Sequence, residues 1–292
     1  MPNDFWVESC VLENFNSAEE FLKDVVKASG QSIKQHGLDK KWLKSPLKSK
    51  NTFKLPLALL NRHQIWPSFT GPQPFIISES EDFVAIHKPP AVHTHPLSYE
   101  GTANLLSWLV TQKRFDLLEV NKGQADRGCL YRLDGPTSGL VLYAKRTEIY
   151  DEVRKNFSTL FHQKTYLCIV RGNPGTKENV EHFLSPFGPK GAQMKCGHAG
   201  VRALLSYKTI KTHNDFSLVE VSLQTGHRHQ IRVQMAELGF PILGDELYGA
   251  KTAARLFLHC YEYKMMWSGK ELSWKDSKAD LFESFFDLNS LL

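Results

Sequence analysis

The spacing of apolar residues changes near residue 70 of this chain. Between residues 18 and 28, apolar side chains recur on one helical face, and Ser17 with Glu20 three positions later has the spacing of a helix-capping box. The segment 66–74 (WPSFTGPQP) contains three prolines and one glycine, a composition typical of a connection between structural units. We therefore predict an N-terminal region that ends at about residue 70.

Beyond this boundary the pattern predicts strands separated by turns. Strands are predicted at 83–87, 139–145, 165–171, 216–223 and 255–265, and helices at 104–110, 147–161 and 227–238. In the segment 216–223 apolar and polar residues alternate, which indicates a strand with one buried face. Because the chain has neither a repeat nor a regular strand-helix-strand alternation, we predict an α+β fold with a mixed, mainly antiparallel sheet.

The composition is that of a folded protein with an ordinary core, since 41% of the residues are hydrophobic and 23% are charged. No apolar run approaches the roughly 18 residues that span a bilayer, and the first residues, with Asp4 and Glu8, do not resemble a secretory signal. The five cysteines contain no CxxC pair, which argues against a disulfide framework or a structural zinc site. We expect a cytoplasmic monomer with no membrane contact and no obligate protein partner.

The net charge of +5 is unevenly distributed. From Lys34 to Lys54, seven lysines and one acid give a local charge of +6. Such a cluster, which includes Lys40, Lys41 and Lys44, is typical of an RNA-binding surface. A solvated, lysine-rich connector explains the same composition, and both interpretations stay open.

Sequence motifs for the common cofactors are absent. The chain has no GxxxxGKS/T motif, no GxGxxG after a strand, no HExxH and no GxSxG. This absence weighs against nucleotide-driven, redox and metal-dependent chemistry. We therefore expect neither a cofactor nor a metal.

A first segment with candidate chemistry is 128–139, GCLYRLDGPTSG. In it Asp134 lies on a glycine-rich turn directly before a strongly apolar strand. A carboxylate in such a loop can be held rigidly and directed at a ligand. The alternative is an ordinary Asp-Gly turn in which the aspartate bonds its own backbone.

A second such segment, 223–249, places Arg228 and Arg232 four residues apart in the first turns of a predicted helix. Cations there oppose the helix dipole, so these arginines are expected to bind a carboxylate, a phosphate or a base. The alternative is an ordinary ion pair, for which Asp245 and Glu246 are candidate partners.

Together these segments resemble the RluA-type pseudouridine synthases. YRLDGPTSGLVLYAK resembles the family block HRLDxxTSGLLxxAK, and TGHRHQIRVQMAELGFPILGDELYG resembles TGRxHQIRxHxxxxGxPIxGDxxYG. Three further blocks, FVAIHKPPAVHTHP, KTYLCIVRG and RLFLHCYEYKM, also match, and all five occur in the family's order between residues 75 and 275. One block could mislead, whereas five in order make a specific resemblance.

The resemblance implies an enzyme that isomerises uridine to pseudouridine within ribosomal or transfer RNA, without a cofactor. Asp134 matches the catalytic aspartate of the family, Tyr166 the tyrosine that stacks on the base and assists proton movement, and Arg232 the arginine that pairs with the aspartate. Residues predicted to contact RNA are Arg132, Arg228, His229, Lys40, Lys41 and Lys44. Three parts are expected: 1–70, a basic region and candidate degenerate RNA-binding domain; 71–275, the catalytic domain; and 276–292, a C-terminal tail.

Tyr131 stands where the family block has histidine, and we expect this departure to alter substrate contacts. Two other functions are compatible with the fold: an RNA-binding protein without catalysis, and a glycosidase that releases the base. Ordinary glycoside hydrolysis needs two carboxylates around the bond, and the sequence offers only Asp134 in a suitable loop. Whether Asp134 attacks the sugar or the base, and which RNA is the substrate, stay open.

Overall fold

The chain divides into two compact units, of which the first comprises residues 1–71 and 95–127 and the second 72–94 and 128–292. The computed structural model describes residues 6–11, 13–26, 28, 30–56, 59, 68–96, 102–121, 126–277, 282 and 285. The following account refers to these residues. No described helix has both the length and the apolar character needed to cross a bilayer.

The first unit contains a two-stranded antiparallel sheet and five short helices. The strands are β1 (Trp6–Cys10) and β2 (Thr52–Pro56), and the helices are α1 (Ala18–Asp24), α2 (Gly30–Gln35), α3 (Lys40–Leu43), α4 (Leu105–Thr111) and α5 (Phe115–Glu119). The helix predicted over 18–28 ends earlier, at Asp24. Its predicted cap is confirmed, since the hydroxyl of Ser17 accepts a hydrogen bond from the backbone N–H of Glu20 (3.0 Å).

A small apolar core holds the N-terminal part of this unit together. Its most deeply buried members include Ala18, Leu22, Ile33, Leu47 and Leu55. The seven lysines between positions 34 and 54 are all exposed. The cluster therefore forms a charged surface over an ordered core rather than a structureless connector.

The second unit is built on a ten-stranded sheet in the order β3-β4-β5-β11-β6-β10-β9-β7-β8, with β12 paired to β11. Its strands are β3 (Phe75–Glu79), β4 (Phe83–Lys88), β5 (Ser138–Ala144), β6 (Phe161–Arg171), β7 (Thr176–Phe187), β8 (Gln193–Gly197), β9 (Val201–His213), β10 (Phe216–Leu223), β11 (Leu258–Trp267) and β12 (Lys270–Lys275). Of these pairs only β5–β11 is parallel. The predicted α+β fold with a mixed, mainly antiparallel sheet is confirmed.

The three helices of this unit are α6 (Thr147–Lys155), α7 (Phe157–Leu160) and α8 (Gln230–Glu237). The single helix predicted over 147–161 is therefore wrong in its extent, because the chain breaks at Asn156 and passes from α7 directly into β6. The helix predicted from residue 227 begins three residues later, since His229 has left-handed backbone angles (φ 55°) that cannot continue a right-handed helix.

The parallel pair β5–β11 positions the loop that carries Asp134. Ser138 and Gly139, at the start of β5, pair with His259 and Cys260 of β11. Gly139 has a φ of 119°, and a Cβ atom there would lie 2.3 Å from the carbonyl oxygen of Cys260. Only glycine allows this close approach, which brings the end of the Asp134 loop onto the centre of the sheet.

Candidate active site

Asp134 lies on a tight turn between Leu133 and β5. The turn is closed by its backbone carbonyl, which accepts a hydrogen bond from the N–H of Thr137 (3.0 Å). The buried hydroxyl of Thr94 anchors the preceding residue by bonding both the N–H (3.2 Å) and the carbonyl (3.1 Å) of Leu133. The side chain of Asp134 is 26% exposed. The loop is therefore rigid, while its carboxylate is partly open to solvent.

Arg232, in the first turn of α8, connects two carboxylates. It donates from Nε and Nη2 to the two carboxylate oxygens of Asp245 (both 2.8 Å) and from Nη1 to Oδ2 of Asp134 (3.3 Å). Burial opposes the charged guanidinium, but the hydrogen bonds and charges of Asp245 and Asp134 outweigh burial and raise the pKa of Arg232. The carboxylates thus compensate for a cation near a helix N-terminus. Both interpretations of Arg232 therefore agree with the geometry. It forms an ion pair with Asp245, and it also contacts the candidate carboxylate Asp134.

Lys88, the last residue of β4, ties the Asp134 turn to the sheet. Its fully buried ammonium group donates to the carbonyls of Pro89 (3.0 Å), Val92 (2.6 Å) and Gly135 (3.0 Å). Burial lowers the pKa of Lys88 to about 7, although the charge of Asp134 acts in the opposite direction. The three hydrogen bonds match the three donors of an ammonium group and hold the turn in place.

The imidazole of His229 lies beside the same carboxylate. Its Nε2 atom is 3.7 Å from Oδ2 of Asp134, and its Nδ1 atom is 2.8 Å from the hydroxyl of Tyr248. The ring of Tyr248 in turn lies under the guanidinium of Arg232, 5.3 Å from its centroid. Asp134 therefore faces nitrogen atoms of Arg232 and His229, and both of these residues contact Tyr248.

Tyr166 occupies the centre of the sheet, where β6 lies between β10 and β11. Its backbone pairs with Val221 on one side and Cys260 on the other, and its side chain is nearly buried. The hydroxyl is 3.0 Å from the hydroxyl of Tyr263. Burial raises the pKa of Tyr166 well above its ordinary value, so this hydroxyl keeps its proton at neutral pH.

Tyr131, which lies three residues before Asp134, is directed into the core. Its ring is stacked on Tyr263, with 4.3 Å between centroids, and its hydroxyl donates to the carbonyl of Leu140 (3.1 Å). The expectation that Tyr131 alters substrate contacts therefore finds no support in its position. The aromatic side chain packs beneath the site instead.

The remaining residues predicted to contact RNA are all exposed. Arg132 lies two residues before Asp134. Arg228 lies outside α8, where its guanidinium donates to the backbone carbonyls of Gly191 and Gln193, so the predicted placement of Arg228 and Arg232 on one helix is wrong. Lys40, Lys41 and Lys44 are exposed on and beside α3 of the first unit.

Several side chains of the site are not evident from the sequence. Lys88 is difficult to identify from the sequence because a lysine at a strand end is ordinarily exposed. Its position before Pro89-Pro90 in a family block is the signal that could have identified it. Tyr248 and Asp245 lie in the GDELYG stretch, where only the acid suggested a partner for arginine. Tyr263 has no local signal, since it belongs to an apolar strand.

Comparison with known proteins assigns the chain to a family of RNA-modifying enzymes. A sequence model of the family described as RNA pseudouridylate synthase matches residues 82–237, more than half of the chain. The chain therefore belongs to the RNA pseudouridylate synthase family, which the five sequence blocks indicated.

Curated relatives agree with this assignment. The ribosomal large subunit pseudouridine synthase D of Borreliella burgdorferi is 28% identical over 196 residues, covering 65% of this chain and 60% of that protein. An uncharacterized RNA pseudouridine synthase of Chlorobaculum parvum is 32% identical over 192 residues, covering 62% and 57%. The match thus spans about three fifths of the length of these relatives.

Solved structures share the fold. Human RNA pseudouridylate synthase domain containing 1 superposes with a TM-score of 0.57 at 20% identity, covering 71% of this chain and 84% of that one. Human RNA pseudouridylate synthase domain containing 4 gives a TM-score of 0.53 at 20% identity, with 69% and 87% covered. At this identity the likeness concerns the fold alone.

Proposed function

We propose that this protein isomerises uridines within RNA to pseudouridine, with Asp134 as the reacting carboxylate. The observation that carries the proposal is the carboxylate of Asp134 beside a buried guanidinium that Asp245 holds in place. A carboxylate that reacts in its ionised form is stabilised by a nearby cation, and Arg232 supplies that cation. Arg232 contacts only Oδ2 of Asp134, so the rest of the carboxylate stays accessible.

The reaction needs little beyond these groups. The N1–C1′ bond breaks, the uracil turns in place, and C5 bonds to C1′ while C5 loses a proton and N1 gains one. Asp134 supplies the nucleophile or the negative charge, and the rigid turn supplies its orientation. We assign Tyr166 the stacking contact with the uracil and a part in proton movement; without RNA its side chain is buried and its hydroxyl contacts that of Tyr263.

A paired uridine must leave its stack before it can react, at a cost of a few kcal/mol. The exposed Arg132, two residues before Asp134, is the residue we assign to the gap left by the flipped base. The exposed lysines of the first unit, Lys40, Lys41 and Lys44 among them, are assigned to the RNA backbone. We keep 1–70, 71–275 and 276–292 as the proposed functional division of the chain.

Ribosomal RNA is the proposed substrate class, because curated relatives are named for the large ribosomal subunit. Transfer RNA is the second class to test. A cytoplasmic monomer fits this role.

Base release is the competing reaction. The carboxylate next nearest to Asp134 along the hydrogen-bond network is Asp245, which is 1% exposed and fully engaged by Arg232. Asp245 is therefore unavailable as the second acid of a glycosidase. This supports isomerisation, in which the base stays bound.

The test uses large-subunit ribosomal RNA transcripts labelled with [5-³H]uridine. Wild-type protein is expected to release tritium to water while RNA mass is otherwise unchanged and no uracil appears. Asp134→Asn is expected to release none, whereas Asp215→Asn, at an exposed carboxylate, is the matched control that keeps activity. Free uracil would assign the glycosidase reaction instead, and RNA binding with no tritium release by wild type would assign a non-catalytic binder.

A further inference from the structure

His229 occupies an unusual backbone position between two functional groups. It directly precedes α8 with a φ of 55°, in the left-handed region that few non-glycine residues adopt. This conformation places its imidazole between Asp134, 3.7 Å from Nε2, and Tyr248, 2.8 Å from Nδ1. A neutral imidazole carries hydrogen on only one ring nitrogen. If that nitrogen is Nε2, Asp134 faces a hydrogen-bond donor; if it is Nδ1, Asp134 faces an acceptor.

The contacts of Tyr248 favour one position of that hydrogen. The backbone N–H of Met194, at the edge of β8, donates to the hydroxyl oxygen of Tyr248 (2.9 Å). An N–H group can only donate, so the Tyr248 oxygen is the acceptor in that bond and its own hydrogen is free to be donated. We assign Nδ1 of His229, 2.8 Å away, as its acceptor. A ring that accepts at Nδ1 carries its hydrogen at Nε2, on the side of Asp134.

The ring is in the neutral form for which this distinction matters. Burial lowers the pKa of His229, and the nearby guanidinium groups of Arg232 and Arg228 act in the same direction. The carboxylates of Asp134 and Asp245 oppose this lowering without reversing it. At neutral pH the imidazole therefore has a single ring hydrogen.

We infer that His229 is a positioning residue of the site, which presents an Nε2–H group, fixed by Tyr248, to the carboxylate of Asp134. The inference rests on the function proposed above. Arg232 and His229 both approach the same oxygen, Oδ2, at 3.3 Å and 3.7 Å. Within the described part of the chain Oδ1 receives no hydrogen bond, so it is the oxygen left for the substrate.

The 3.7 Å separation is longer than a hydrogen bond. Hydrogen bonds of catalytic groups are often long without substrate and shorten in the reacting complex. A shift of less than 1 Å on RNA binding brings Nε2 within bonding range of Oδ2. Two donors on one oxygen then fix the carboxylate plane as well as its charge.

Two replacements of His229 separate a positioning role from a structural one. The amide nitrogen of glutamine reaches the place of Nε2, whereas that of asparagine reaches only the place of Nδ1. Asparagine is also the better residue for left-handed backbone angles. A structural role therefore favours His229→Asn, and the positioning role favours His229→Gln.

Turnover at saturating RNA and the Kd for RNA are measured for both variants. We expect His229→Asn to lower kcat by about tenfold to a hundredfold with Kd unchanged, the loss typical of a hydrogen bond to a charged group. His229→Gln is expected to recover most of the loss. Equal losses, or a smaller loss in His229→Asn, overturn the inference, as does a change confined to Kd, which would assign His229 to RNA contact.

Tyr248→Phe supplies an independent arm, because it keeps the ring beneath Arg232 and removes only the hydroxyl. We expect a lower kcat in the wild-type background and no further loss in His229→Gln, since an amide has no tautomer to fix. An equal loss in both backgrounds would overturn the inference. Absence of pseudouridine with wild-type protein refutes the proposed function instead, so the two failures are distinguishable.

Discussion

Arg232 binds two carboxylates of very different burial, and replacing each carboxylate in turn predicts opposite outcomes. Asp245 is 1% exposed and makes two parallel hydrogen bonds of 2.8 Å to the guanidinium. Asp134 is 26% exposed and makes one bond of 3.3 Å. Asp245→Asn should therefore damage the fold, and Asp134→Asn should damage only the reaction.

The magnitudes follow from burial. Removing one charge of a buried ion pair leaves the other uncompensated and costs about 3–5 kcal/mol of unfolding free energy. Asparagine keeps one acceptor for Arg232, so we expect about 3 kcal/mol for Asp245→Asn. For Asp134→Asn we expect about 1 kcal/mol or less, because partly exposed pairs contribute little and Arg232 keeps its buried partner.

Urea unfolding followed by far-UV circular dichroism measures the stability, and tritium release from [5-³H]uridine RNA measures the reaction. Asp134→Asn is expected to unfold near the wild-type midpoint, to bind RNA and to release no tritium. Asp245→Asn is expected to unfold at a clearly lower urea concentration. Its residual activity below that midpoint is reduced, since Arg232 loses the contact that orients it.

Similar losses of stability in the two variants would show that Asp245 is not the main anchor of Arg232. Turnover by Asp134→Asn would show that Asp134 is not the reacting carboxylate. The double variant is a further check, since both acids share one guanidinium and their effects should not add. A simple sum of the two losses would show that Arg232 does not couple them.

Three further predictions concern other parts of the molecule. Tyr166→Phe keeps the stacking face, so RNA affinity should be unchanged while kcat falls by about a hundredfold if the hydroxyl moves a proton; normal kcat would leave stacking as its only role. Replacing Lys40, Lys41 and Lys44 by glutamine should reduce the salt slope of RNA binding by about 2, at roughly 0.7 per phosphate contact, without affecting saturated turnover on a short RNA; an unchanged slope would reject this surface as an RNA contact. Burial lowers the pKa of His259 from 6.5 to about 4, so between these pH values the unfolded chain binds a proton that the folded protein does not. The contribution of this group to the free energy of unfolding should therefore fall by about 3 kcal/mol from pH 7 to pH 4. His259→Asn, which keeps a polar atom near Nδ1, should remove that part of the pH dependence, and an unaltered pH curve would contradict the argument.

Local patterns in the sequence were sufficient for most of the elements and for the family. The strand over 216–223 and the cap at Ser17 follow from alternation and spacing within a few residues, and the structure contains both. Asp134 was identified as a candidate because its glycine-rich turn precedes an apolar strand. These features depend on near neighbours, which the sequence records directly.

Contacts between distant residues required the tertiary structure. Asp134 and Arg232 are 98 positions apart, and their hydrogen bond joins the turn before β5 to the first turn of α8. Sequence spacing placed Arg228 with Arg232 on one helix, but a left-handed residue at His229 starts the helix after Arg228. The physical reason is that burial and pairing between distant segments decide which side chains enter the site and which charged groups they contact. Local propensity does not determine either.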